Sequence, residues 1–406
     1  MQNRKRGHQT ALWTKSFTML VIASLFLFMS FQMLIPTLPP YIKSLGASGF
    51  EIGMITLVFS VGAVLTRPLI GYMLEFRPRK PLVLIGAGGL LAVTILYPLT
   101  QIVTILLLFR LLHGLMWGWS STVNGTAAVD LVPNERLGEG MGYYGLSITV
   151  GMIIAPSLGI YVYQNFPFTV LIVISALLGF IAFILLAFIQ YHTPDNILIA
   201  NRKNLQFSIV DSLVEKSSLT PAVITFLATF GYGTIVTFIV IFAEERGIAE
   251  IFLFYLLNAL TATLIRPITG RWFDRKGPIQ LVAFCSLLTF ISMWMLSFSS
   301  NWLGIVVAGT LFGAGYGSLI PALQAWVLAM TPHQRRGVAN GMFYSAIDLG
   351  IGLSGLVFGL IALFVGTAQL FQISSFFFLI VVFITLSVGK KWQKESETRK
   401  KREFLL

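Results

Sequence analysis

Twelve stretches of this chain stay apolar for long enough to cross a lipid bilayer, which takes about 20 residues of helix. They run roughly over 17–38, 52–71, 82–100, 103–128, 140–161, 168–190, 221–242, 251–270, 280–298, 302–328, 338–362 and 367–388. Within each stretch the apolar residues are continuous rather than alternating, which favours helices over the strands of a membrane barrel. Composition agrees. Of 406 residues, 56% are hydrophobic and 11% charged, against about 25% charged in soluble domains. An all-α membrane protein with twelve transmembrane helices is expected.

The cations orient it. Of 28 Lys and Arg residues, only Lys43 and Arg246 fall in the loops of one face, and Arg67, Arg110 and Arg266 fall within helices. All the others lie on the face that carries both termini. Positive loops stay inside, so both termini are expected in the cytoplasm. The protein would be multi-pass in a cell membrane, the bacterial cytoplasmic membrane first. The net charge of +12 then belongs to a surface meeting anionic headgroups of the bilayer, and no nucleic-acid partner is needed. The first span follows "RKRG" but lacks a small-x-small cleavage site, so it reads as a spanning helix and not a signal peptide. Cys285 is the single cysteine, which leaves no disulfide framework and no cysteine-based metal site.

The chain also repeats itself. A shift of 199 lays Arg67-Pro68 on Arg266-Pro267, Gly71 on Gly270, Glu75 on Asp274, Gly114 on Gly313, Pro133 on Pro332 and Gly151 on Gly350. Two like-oriented six-helix bundles follow, 1–190 and 221–406, with a linker at 191–220 and a basic tail. Parallel repeats place a pseudo-two-fold axis along the membrane normal, with a cavity between the halves that rocking exposes to either side. The repeated turns, with Gly71, Glu75, Arg79 and Lys80 in one copy and Gly270, Asp274 and Arg275 in the other, are expected to latch the cytoplasmic side. Glycine permits close helix approach, and each acid suits the N-terminus of a helix in the opposite half. Asp130, at the inner end of its helix, is placed to pair with the loop arginines.

Three sets of motifs resemble those of the major facilitator superfamily. "GYMLEFRPRK" and "GRWFDRKGPI" resemble its loop motif Gly-x-x-x-Asp-Arg-x-Gly-Arg-Arg, with Glu75, Phe76 and Pro78 as departures in the first copy. "RLLHGLMWG" resembles Arg-x-x-Gln-Gly, with His113 in place of glutamine; the resemblance implies a part for Arg110 in proton coupling. His113, one turn on, has an ordinary pKa of about 6.5 that suits a proton carrier. In "GYYGLSITVGMIIAPSLG", the residues Gly142, Gly151, Ala155, Pro156 and Gly159 resemble the helix motif of the family's antiporters and drug exporters. Small residues four apart would press this helix on a partner from the other half. The family implies the twelve-helix fold and transport by alternating access; one chain contains a complete pathway, so it is expected to function as a monomer.

Asp348 is the one carboxylate deep within a span, and such residues mark ion pathways. Gln32, Trp117, Asn124, Tyr144, Tyr232, Asn258, Tyr316, Gln324 and Tyr344 are mid-membrane polar or aromatic residues suited to line a cavity for an amphiphilic molecule. The expectation is a secondary transporter that exports a small organic molecule, drug-like or a secreted metabolite, by proton antiport. Its alternative is proton-coupled uptake of a nutrient such as a sugar or organic anion. No metalloprotease, nucleophile-elbow or Walker sequence occurs, so neither an enzyme nor an ATP-driven pump is expected, and no cofactor.

Overall fold

A computed structural model describes residues 11–74, 77–133, 136–191, 214–332 and 335–403. The long helices of the first half are α1 (Lys15–Gln32), α3 (Gly49–Leu74), α4 (Arg79–Leu96), α5 (Val103–Leu131), α6 (Leu137–Asn165) and α7 (Phe168–Phe188), with a short α2 (Leu38–Ser44) after α1. The second half has α8 (Leu219–Arg246), α9 (Phe252–Lys276), α10 (Pro278–Phe298), α11 (Trp302–Met330), α12 (Arg336–Ile361) and α13 (Thr367–Glu403). Twelve of these are long and apolar enough to cross a membrane. An even number of crossings puts both described ends on one face, called here the terminal face; the other is the distal face.

Helix limits follow local chemistry. Thr14 caps α1 by accepting from the Phe17 amide at 3.2 Å, and Asn301 caps α11 by accepting from the Gly304 amide at 3.1 Å; each satisfies an amide the helix leaves unpaired. Pro78 precedes α4, Pro167 precedes α7 and Pro278 opens α10, where proline loses no helical hydrogen bond. Gly247 ends α8 at φ +66°, a left-handed cap. The first span is shorter than its apolar run. It stops at Gln32, and the chain turns before α2, because Pro36, Pro39 and Pro40 remove backbone donors.

The repeat is visible in the helix starts. α4 and α10 begin at Arg79 and Pro278, α5 and α11 at Val103 and Trp302, α6 and α12 at Leu137 and Arg336, each pair 199 apart. Within the first half, α3 packs on α5, α1 on α6 and α7, and α4 on α5 and α7; within the second, α9 packs on α11, α8 on α12 and α13, and α10 on α11 and α13. The halves meet where α3 lies on α12, α6 on α9, and α2 against α8.

The meeting is tight toward the distal face. A Cβ at Gly49 would lie 2.7 Å from the Gly359 carbonyl oxygen, and one at Gly53 only 2.1 Å from that of Gly355. Here glycine is required by backbone-to-backbone contact. Thr56 and Thr237 hydroxyls lie 3.1 Å apart across the same seam, and Lys43 pairs with Glu245 at 2.8 Å at its outer end. The α6–α9 contact is looser and built from side chains: Ser157 donates to the Phe252 carbonyl at 3.3 Å and Tyr161 meets the Phe252 ring edge-on. Toward the terminal face the halves part. A Cβ at Gly71, Gly142, Gly270 or Gly341 would meet nothing within 4 Å, and Leu264 and Ile268 of α9 are 76% and 64% exposed.

Candidate functional site

Three clusters take up the polar and aromatic residues of mid-membrane. The first spans both halves. Arg67 of α3 forms an ion pair with Asp348 of α12, and its guanidinium stands 5.7 Å from the centre of the Tyr344 ring. Gln324 of α11 donates to Asn340 at 2.9 Å and reaches the Tyr344 hydroxyl at 3.4 Å. Arg67 and Asp348 keep 13% and 15% of their side-chain surface exposed, so most of each is desolvated.

The second cluster is in the first half. Arg110 is 3% exposed, its guanidinium 4.2 Å from the Phe59 ring centre. His113 Nδ1 lies 3.2 Å from the Tyr97 hydroxyl. Trp117 stacks on Phe31 at 3.9 Å and is edge-on to Phe28. Buried Asn124 donates to Ser120 one turn back at 3.2 Å, and Gln32 and Tyr144 are buried. The third is in the second half, where Tyr232 stacks on Tyr316 at 4.3 Å and Tyr316 on Phe312 at 5.1 Å. Asn258 of α9 is half-buried and has its backbone carbonyl pressed against Gly313.

These positions differ from a single ring around one chamber. Trp117 and Asn124 are packed inside their own half, while Asp348 and Tyr344 meet Arg67 across the interface. Sequence reading marked Arg67 by the Arg-Pro repeat and by its place within a span, but gave it no site role, and it passed over Asn340. A cavity of about 830 Å³ opens instead on the distal face, between the aromatic side chains Tyr41, Tyr161, Tyr163 and Phe168 and the carboxylates Glu244 and Glu250. None of the residues expected to line the central cavity lines it.

Of the motif residues, Asp130 pairs with a loop arginine as expected, but the contact stays within one half. Arg79 is buried and pairs with Asp130 at 2.7 Å, while its Nη1 donates to the Leu74 carbonyl. All three lie in the first half, so this arginine braces α4 against α3 and α5 and does not cross to the second bundle. Lys80, Asp274 and Arg275 are exposed; Asp274 and Arg275 make no ion pair among the described residues. The halves are apart at this face, so there is no opposite helix end for Asp274 to meet. Glu75 lies outside the described residues.

The small face of α6 presses on α1 of its own half, not on the other bundle. A Cβ at Gly159 would lie 2.6 Å from the Met33 carbonyl, and one at Gly151 3.1 Å from Phe28. Ala155 and Pro156 are buried beside them, and Gly142 faces open space. The matching face of α12 does the same within the second half: Gly350 meets Thr229 and Phe226, and Ser354 meets Gly233. What crosses between halves is a second face of α12, carrying Gly352, Gly355 and Gly359.

Outside the spans, Glu215 accepts from Arg335 and from the Ser217 hydroxyl at 2.7 Å. Those hydrogen bonds, Arg335 first, hold its carboxyl down at about 2. The contact fastens the end of the linker to the turn before α12. Among the described residues no group of His, Cys, Asp or Glu could hold a metal ion.

Twelve spans in two matched bundles that meet where α3 lies on α12 make this a multi-pass membrane protein. The chain belongs to the Major Facilitator Superfamily, whose sequence profile matches residues 20–284 and again 221–406; its members are transporters rather than enzymes. It is 25% identical over 390 residues to the staphylopine export protein of Staphylococcus aureus, covering 92% of this chain and 96% of that one. It is 23% identical over 386 residues to the multidrug resistance protein MdtG of Dickeya zeae, covering 90% and 94%. The crystal structure of the nucleoside transporter NupG superposes with a TM-score of 0.72 at 14% identity, over 93% of this chain and all of that one, which shows the shared fold.

Proposed function

We propose that the chain is a secondary active exporter of a small organic molecule, driven by inward proton movement, with the terminal face in the cytoplasm. The observation that carries this reading is Asp348, a carboxylate at mid-span joined to a cation of the opposite half. A group that binds a proton in the membrane and sits on the moving interface ties the two processes together. The relatives named for export and multidrug resistance, matched over nearly their whole length, support the outward direction. Drug-like cations, zwitterions and secreted metabolites are the substrate classes in view, and one chain contains the whole pathway.

In this reading the halves are apart on the cytoplasmic side and in contact on the other. Closure of the distal seam by Gly49, Gly53, Gly355 and Gly359 prevents return of substrate from outside. The test uses everted vesicles and ethidium as probe. An acid-inside gradient should drive ethidium uptake, and Asp348→Asn should reduce accumulation to the level of gradient-free vesicles. Full gradient-driven accumulation by that variant removes Asp348 from the coupling role; accumulation only in intact cells reverses the direction and favours nutrient uptake.

A further inference from the structure

We propose that Arg67 is the positioning residue that determines when Asp348 holds its proton, so that tilting of the halves and proton movement are one event. The proposal deepens the exporter reading and takes its direction from it.

Asp348 is surrounded as follows. From α3 the only charged neighbour is Arg67, in an ion pair with it. Along α12 itself comes Tyr344, whose ring Arg67 also faces. On α8, which packs on α12, Thr229 donates to the Ala346 carbonyl at 3.3 Å and carries no charge. From α11 comes Gln324, neutral and bonded to Asn340. Among the described residues no other cation lies within ion-pair distance of this carboxylate. Its counter-charge is therefore single, and it belongs to the other bundle.

A mostly desolvated carboxylate is tolerated with a paired cation and becomes costly without one. Deprived of its partner, such a group takes up a proton. Arg67 lies on the helix whose distal end forms the glycine seam with α12. Opening the distal face draws α3 away from α12 along that seam and takes the guanidinium with it. Asp348 then binds a proton arriving from the distal side. When the seam closes, Arg67 returns, the O–H bond breaks, and the proton leaves toward the terminal face, where the halves are apart. One proton is taken up and one released per cycle, and its path runs inward.

The experiment has two arms on the full-length protein. In the first, purified protein at neutral pH is examined by infrared difference spectroscopy, the Asp348 carboxyl signal being assigned by its loss in Asp348→Asn. Wild type and Arg67→Lys should show an ionised carboxylate, and Arg67→Gln a protonated carboxyl. In the second, everted vesicles are loaded with ethidium. Arg67→Gln should equilibrate ethidium down its gradient but lose at least tenfold in accumulation against it, with Arg67→Lys restoring most of that loss. An ionised Asp348 in Arg67→Gln overturns the proposal, as does gradient-driven accumulation by that variant within twofold of wild type. The infrared arm needs no transport, so a wild type that fails to accumulate ethidium counts against the exporter reading while the pairing is still decided.

Discussion

Replacing Gly53 with alanine should spring the distal seam open. The new Cβ would lie 2.1 Å from the Gly355 carbonyl oxygen and 2.8 Å from its carbon. Ordinary contact begins at 3.4 Å, so the two backbones must separate by 3.4 minus 2.1, or about 1.3 Å. Neither atom is a side chain that can rotate away, and Gly49 on Gly359 one turn outward leaves no slack. Overpacking of this kind costs about 1–3 kcal/mol. A bias of that size against the distal-closed state changes its ratio to the open state about 5- to 150-fold. Thr56 reports the change, because it is 6% exposed beneath the seam. A Thr56→Cys background would be labelled with an impermeant maleimide added on the distal side; native Cys285 is 1% exposed and stays silent. Gly53→Ala should speed labelling at least about fivefold. Gly125→Ala, whose Cβ meets nothing within 4 Å, should leave it unchanged. Labelling that is equally slow in Gly53→Ala would refute the claim that backbone contact holds this face shut.

Arg79→Ala should lower stability by about 3 kcal/mol, the low end for breaking a buried pair, because Asp130 keeps 19% of its side chain exposed. Thermal unfolding in detergent measures it, and an unchanged melting temperature contradicts the bracing role. Glu215 gives a pH prediction. Its folded value of about 2 lies below the ordinary 4.5, so its stabilising contribution is present above about 4.5 and is lost as pH falls through about 2. Limited proteolysis at the linker end should therefore be constant from pH 8 to pH 5, about, and Glu215→Gln should raise it throughout that range.

Much of the fold was legible because lipid imposes one solution per apolar run. The offset of 199 also survives as helix starts at Arg79 and Pro278, and at Val103 and Trp302. Partners were less legible. Small residues at Gly151 and Gly159 announce a close neighbour but not which one, and the neighbour is α1 rather than the other half. Arg67 and Asp348 are far apart in the chain, so a lone arginine in a span gave no sign of the carboxylate it meets. Trp117 has the composition of a cavity residue, yet stacking on Phe31 satisfies it within the bundle. The latch residues Asp274 and Arg275 are exposed because closure of the distal face leaves the terminal face apart. A motif specifies contacts for the whole cycle, and one state displays only some of them.

The central claim is that the halves tilt, closing one face as the other opens and parting Arg67 from Asp348 when the distal face opens. Double electron–electron resonance on purified protein tests it with two spin-label pairs, Ser44 with Glu250 on the distal face and Lys80 with Lys276 on the terminal face. Asp348→Asn, which mimics the protonated carboxyl, should lengthen the distal distance and shorten the terminal one together. Two distances that stay fixed, or that lengthen in concert, would contradict the account.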